Sequence, residues 1–265
     1  MAAVMEPETK NAAAQYERDG FVLGPQIVPA DLVRRAVERM DEVRMGRYET
    51  GVAPKSRVWN PGDDPLKICK IDNAQLCDRV ILELVSHPEI GRWAARVTGA
   101  KMVQVWATQL LYKPPGGADA SNVGWHQDRQ YWPYWDGEVF TAWIALSDVT
   151  SDAGPIRFVT GSHRWGEVSG GDFFGGNLQG LREKMTIPAG AVWAEAEGVL
   201  PPGAASFHHR LTIHGSGPNR SSGPRRSFAL HLRTEKSSPV KDKDSHGYAS
   251  RLDDPVCCPV IFGTT

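Results

Sequence analysis

The sequence has no apolar run long enough to span a bilayer, no excess of either charge and no regular cysteine spacing. Each absence removes a class of protein. A transmembrane helix needs about 20 predominantly apolar residues, so no membrane association is expected. Lys plus Arg number 30 against 31 Asp plus Glu, a formal net charge of -1. That balance gives no general grip on nucleic acid, although residues 220–233 are locally basic. The four cysteines, Cys69, Cys77, Cys257 and Cys258, lack C-x-x-C spacing, which argues against a zinc ribbon or a disulfide framework. Residues 1–15 lack the basic and apolar segments of a secretory signal. A soluble, cytoplasmic protein is expected. No repeat or low-complexity linker divides the chain, and one domain over residues 1–265 is expected.

What is present points to a packed β-rich globule. Apolar residues make up 41%, and 27 Gly and 19 Pro supply turns between short strands. The front of the chain is helical in pattern. Residues 11–20 read as a short helix stopped by Gly20, followed by the strand-like Phe21-Val22-Leu23. A second helix opens at Pro29, with Leu32, Val33, Ala36, Val37, Met40 and Val43 at helical spacing. Residues 48–67 read as a loop. A third helix covers about 78–98 and restarts at Pro88. Beyond Gly99 the pattern changes to strands at 102–112, 139–146, 157–160, 191–194, 205–209 and 226–232. The expected fold is mainly β with N-terminal helices, a double-stranded β-helix or jelly roll of the cupin type. Helical decoration would occupy about 8–98, the jelly-roll core about 100–235 and a C-terminal tail 236–265.

The segment Gly124-Trp125-His126-Gln127-Asp128 carries the chemistry. On a strand, side chains at i and i+2 share a face, so His126 and Asp128 would project together and Gln127 away. An imidazole and a carboxylate make two-thirds of a 2-His-1-carboxylate site for non-haem Fe(II). The second histidine must come from His163, His208, His209, His214, His231 or His246. His214 stands out because Gly215-Ser216-Gly217 follows it and Arg225 comes eleven residues later. Glycines let backbone approach a site closely, and an arginine grips a carboxylate through two parallel hydrogen bonds. His208 and His209 share one strand and are alternatives, but neither has that turn. His163 is expected to hydrogen-bond at a turn, His231 to be packed on its strand, and Arg226 to point away from Arg225 to solvent or an ion pair.

These pieces resemble the phytanoyl-CoA dioxygenase family of Fe(II)/2-oxoglutarate oxygenases. The likeness runs from Asp19-Gly20-Phe21 to about Arg233. It rests on Leu111-Tyr112-Lys113-Pro114-Pro115, His126-Gln127-Asp128, Ala142-Trp143, Gly161-Ser162-His163, and His214-Gly215-Ser216-Gly217 with Arg225. The resemblance implies iron ligands His126, Asp128 and His214, with 2-oxoglutarate and O2 as co-substrates. It implies that Arg225 holds the far carboxylate of 2-oxoglutarate, that Ser216 assists, and that Gln109, Trp143 and Lys70 line the same pocket. The implied reaction couples oxidative decarboxylation to succinate and CO2 with oxidation of a small-molecule substrate. Hydroxylation is the default, and desaturation, epimerisation or ring closure use the same site. Asp128 disfavours halogenation, because the related halogenases lack the carboxylate. Substrate contacts are expected from Arg129, Tyr131 and Trp132 after the metal motif and from Phe173 and Phe174 in a Gly-rich loop over 164–184. No basic cluster suggests a CoA site, so a small metabolite or natural product is expected. A non-catalytic jelly-roll binding protein and a nucleic-acid demethylase are the competing readings; the sequence leaves the oligomeric state open.

Overall fold

The computed structural model describes residues 5–264, so the first four residues of the leader reading lie outside the described residues. Among the described residues, no helix is long and apolar enough to cross a membrane. Among the described residues, five α-helices and fourteen strands follow one another in a helix-first order. Helix α1 (Met5–Asp19) leads into β1 (Phe21–Gln26), then α2 (Ala30–Arg44), β2 (Ser56–Arg57) and β3 (Cys69–Asp72). Helices α3 (Arg79–Val85) and α4 (Pro88–Thr98) come next.

The strand-rich part runs through β4 (Val103–Lys113), β5 (Val123–His126), β6 (Trp135–Asp136), β7 (Val139–Ala145) and β8 (Ile156–Val159). After α5 (Leu178–Lys184) come β9 (Glu195–Gly198), β10 (Ala204–His209), β11 (His214–Ser216) and β12 (Arg225–Thr234). The tail adds β13 (Ser238–Pro239) and β14 (Val260–Phe262).

Local chemistry explains the helix boundaries. Asp78 caps α3, accepting from the backbone N–H of Val80 at 2.9 Å and of Ile81 at 3.2 Å. Pro88 starts α4 at its first turn, where its missing N–H costs nothing, and Gly99 ends it with φ 69°. The interval expected as one restarted helix is thus two helices. Leu32, Val33, Ala36, Met40 and Val43 form the buried stripe of α2.

Among the described residues, all strand pairs are antiparallel. The large sheet runs β1-β10-β7-β12-β4-β3-β2, with β14 pairing the other end of β4, and the small sheet runs β5-β11-β8-β9. Two facing antiparallel sheets make the expected jelly roll. One face of the large sheet packs against the helices: Phe228, Leu230 and Leu232 of β12 share a core with Leu32, Ile81 and Ile90. Its other face meets the small sheet, with Trp143 and Ala229 packed beside Val123, Ile156 and Phe158. The space between the sheets holds the site.

One expectation requires correction. Residues 191–194 are not a strand; pairing with β8 begins at Glu195, with Val159 opposite Glu195 and Ile156 opposite Gly198. β9 is an edge strand that carries two glutamates, so polarity there masks it from a hydrophobicity reading. Within the C-terminal tail, Val260 and Phe262 pair with Gln104 and Val103 of β4.

Candidate metal centre

His126 closes β5 and His214 opens β11, and the two are register partners across that antiparallel pair. Cross-strand partners sit close enough for their side chains to meet, and the ring centroids are 4.2 Å apart. Asp128 is not on the strand, as the spacing suggested, but begins a 3-10 turn over Asp128–Tyr131. Gln127 before it remains extended at φ -108°, ψ 136°, so the i, i+2 relation still brings both side chains to one side. Gln127 points the other way, donating to the carbonyls of Gly166 (2.9 Å) and Leu211 (2.7 Å) and accepting from the N–H of Val168 (2.8 Å). Gly124 is needed two residues earlier, because a Cβ there would lie 2.0 Å from the Asp172 carbonyl oxygen. That close approach brings the loop with Phe173 over the site.

The ligand atoms of His126, Asp128 and His214 all lie within 4.8 Å of one another, and all three residues are buried. Asp128 Oδ1 is 3.7 Å from Nε2 of each histidine. Each Nδ1 is held by a backbone carbonyl, that of Gly124 at 2.8 Å and that of Thr212 at 2.9 Å. Those bonds place the proton on Nδ1 and the lone pair on Nε2, as metal-binding imidazoles require. Asp128 Oδ2 is held separately by Thr141 Oγ1 at 2.7 Å and His208 Nε2 at 3.3 Å. Burial raises the Asp128 carboxyl, but His214, His126 and His208 outweigh it and hold the carboxyl well below its usual range. Burial, then His126 and His208, pushes the His214 imidazole well down. Two imidazoles that present Nε2 and one carboxylate, all on one side, fit Fe(II) with open positions.

The three residues line a cavity of about 190 Å³ between the sheets. Arg225, at the start of β12, enters it from one end and is buried. One guanidinium nitrogen donates to the Gly154 carbonyl at 3.2 Å, while Nε and Nη2 have no partner. Its guanidinium carbon lies 5.2 Å from the Trp143 ring centre. Burial lowers Arg225 to about 9, which still leaves it charged at neutral pH. A buried cation with two unused donors is a fitted seat for a carboxylate. Lys113, opposite Arg225 in register, donates to Ser216 Oγ at 2.7 Å and to the carbonyl oxygen of Gly217. That leaves the Ser216 hydroxyl hydrogen for an outside acceptor.

Gln109, Trp143 and Lys70 also line the cavity. Lys70 already has a partner in the chain, with Nζ 2.6 and 2.9 Å from the two oxygens of Asp72. Tyr131, Trp132, Phe173 and Phe174 line the cavity as well. Arg129 does not. Its side chain bonds Glu167 at 2.8 Å and the carbonyls of Trp132 and Trp135 at 3.1 and 3.0 Å. Those donors are used to brace the turn, and the expected substrate contact is withdrawn. His163 bonds the Glu17 carbonyl at 3.0 Å, tying its turn to α1. Sequence reasoning passed over Thr141, Trp106, Asp72 and Tyr248, all on the cavity wall. It weighed His208 as an alternative ligand and His231, after listing it among the candidate histidines, as packing.

The family model for phytanoyl-CoA dioxygenase (PhyH) matches residues 16–227. A probable alpha-ketoglutarate-dependent hypophosphite dioxygenase of Stutzerimonas stutzeri is 24% identical over 88% of this chain and 81% of its own length. The peroxisomal phytanoyl-CoA dioxygenase of Homo sapiens is 26% identical, over 82% of this chain but 66% of its own length. Among solved structures, the epimerase SnoN in complex with Fe3+, alpha ketoglutarate and nogalamycin RO is similar in fold. Its TM-score is 0.69 at 23% identity, covering 91% of this chain and 89% of that one. With four-fifths of the chain inside the family model and the site assembled in the cavity, this chain belongs to the phytanoyl-CoA dioxygenase family, whose enzymes work with Fe(II), 2-oxoglutarate and O2.

Proposed function

We propose that this protein hydroxylates a small organic metabolite or natural product, with succinate and CO2 as co-products. The observation that carries the reading is the juxtaposition of His126, Asp128 and His214 with two unpartnered donors of Arg225 in one cavity. When bound, iron with 2-oxoglutarate and O2 supplies the oxidising power. The residues do the rest. His126, Asp128 and His214 would hold iron on one side. Thr141 and His208 fix Asp128 Oδ2 and leave Oδ1 toward the metal position. Arg225 and Ser216 would fix the far carboxylate of 2-oxoglutarate, with Trp143, Gln109 and Lys70 along its length. Phe173, which is buried, would help exclude water from the reacting centre.

The reacting part of the substrate must be small, since about 190 Å³ is below the roughly 300–1,000 Å³ usual for drug-sized ligands. SnoN is an epimerase and SnoK, of similar fold, a carbocyclase. The same site could therefore serve epimerisation or ring closure, and the mass of the product separates these from hydroxylation.

The test measures succinate from 2-oxoglutarate with Fe(II) and ascorbate, alongside metal binding. Wild type is expected to bind Fe(II) and consume 2-oxoglutarate, and His126→Ala to lose at least about 10²-fold of the turnover through lost metal. Wild type that binds neither Fe(II) nor 2-oxoglutarate would return the protein to the non-catalytic reading.

A further inference from the structure

Besides Arg225 and the metal-side His208, two cavity-lining residues carry buried polar atoms without a partner: His231 at Nε2 and Trp106 at Nε1. Buried polar groups are ordinarily paired, so each such atom needs an account. Arg225 and His231 lie six residues apart on β12 and both line the cavity. The strand therefore carries one unsatisfied group near its start and a second about 20 Å along.

A register shift places Trp106. His231 pairs with Ala107 and Leu232 with Val105, so Trp106 is the extra residue of a bulge in β4. Bulges re-aim side chains beside sites. Here the Trp106 ring comes 5.5 Å from His231, with Trp132 at 4.5 Å from the same imidazole. Tyr248 from the C-terminal segment stands edge-on to Trp106 at 6.1 Å. His231 and Tyr248 both lie outside residues 16–227, the part matched by the family model.

The tautomer of His231 follows from its neighbours. Thr141 Oγ1 lies 2.7 Å from Asp128 Oδ2 and 3.1 Å from His231 Nδ1. Thr141 donates its single hydrogen across the shorter contact, to Asp128 Oδ2. The Thr141 oxygen must then accept, and His231 Nδ1 carries the proton. The remaining nitrogen, Nε2, is a bare acceptor. Burial holds His231 down at about 4, so it is neutral near pH 7. The wall thus offers a hydrogen-bond acceptor among aromatic rings, a combination that selects a ring for stacking and a donor for polarity.

We infer that this end of the cavity is a substrate subsite for a neutral, hydroxyl-bearing aromatic ring, whose O–H donates to His231 Nε2. The inference rests on the oxygenase reading for its biological meaning but not for its test. The test measures binding of phenol and of toluene to the purified full-length protein without metal, by calorimetry and protein-observed NMR. Toluene is the more hydrophobic of the two, so an ordinary apolar pocket would favour it. Wild type is expected to bind phenol about tenfold more tightly, the worth of one good hydrogen bond. His231→Leu should abolish that preference. His231→Gln, which can present an oxygen near the Nε2 position, should keep part of it and guards against a folding defect in the leucine variant. Toluene binding as tightly as phenol to wild type, or a phenol preference undiminished in His231→Leu, would overturn the subsite. Fe(II) and 2-oxoglutarate binding, measured separately, decide the oxygenase reading. Phenol selectivity without iron binding would sink that reading and leave the subsite standing.

Discussion

The two faces of β12 differ as sharply as any two regions of the molecule. On one face Phe228, Leu230 and Leu232 pack into the helix-side core, all fully buried and apolar. On the other, Arg225, Ser227 and His231 are buried just as deeply but keep polar atoms without partners. Alternation along a strand is all that separates them. The helix-side face contributes stability by removing apolar surface from water. The cavity face forgoes hydrogen bonds that a ligand can restore, and such unmade bonds cost stability in the empty protein. Stability and chemistry are therefore divided between the two sides of one strand, and substitutions on each side should read out differently.

The largest effect is expected on the helix side. Leu230 is wholly buried between the sheet and the helices, and Leu230→Ala should cost about 2–5 kcal/mol by the lost burial and the cavity left behind. Denaturant unfolding measures it. The folded fraction should bind Fe(II) and 2-oxoglutarate with wild-type affinity; a loss of either affinity comparable to the loss of stability would erase the proposed division.

On the cavity side the sign for stability changes. Arg225 has one internal hydrogen bond and two nitrogens with none. Arg225→Met should leave the unfolding midpoint of the ligand-free protein unchanged or raise it, because a buried, half-satisfied cation is replaced by an apolar chain of similar length. The same variant should weaken 2-oxoglutarate by about 10²-fold, the loss of a charge-assisted two-point contact, and retain iron. Titration of 2-oxoglutarate against the iron-loaded variant checks this, and loss of iron would contradict the assigned role.

How far this division was legible in the sequence depends on the distance over which each signal acts. The pair His126 and Asp128 is a two-residue signal, readable because one extended residue suffices to align them, even though Asp128 lies in a 3-10 turn. Arg225 was readable from its separation from His214. The groups completing the wall were not. Thr141, His208 and His231 come from strands β7, β10 and β12, and only the pairing order β10-β7-β12 brings them beside Asp128. Trp106 reaches His231 through a one-residue bulge that no local pattern announces. Strand β11 has three residues, too few to show alternation, and β9 is polar because it is an edge. Arg129 was misassigned because proximity in sequence to the metal motif does not set side-chain direction in a tight turn.

The smallest effect belongs to Arg226, and it is the sharpest control because it adjoins Arg225. Arg226 turns to the helix side and bonds Asp41 of α2 at 2.6 and 3.1 Å, with the two side chains 19% and 38% exposed. Its neighbours include the Tyr112 ring, 5.4 Å from the guanidinium carbon. A partly solvated pair of this kind is worth about 0–1 kcal/mol, since water screens it and two long side chains must be ordered. Arg226→Met keeps the aliphatic stem and should shift the unfolding midpoint by no more than that, less at high salt. It should leave 2-oxoglutarate affinity at the wild-type value. Two arginines one residue apart would then differ about 10²-fold in their effect on the co-substrate, for no reason except the face of the strand each occupies. If Arg226→Met weakened 2-oxoglutarate as much as Arg225→Met, the contribution would be long-range charge rather than a fitted seat, and the contrast between the two faces would fail.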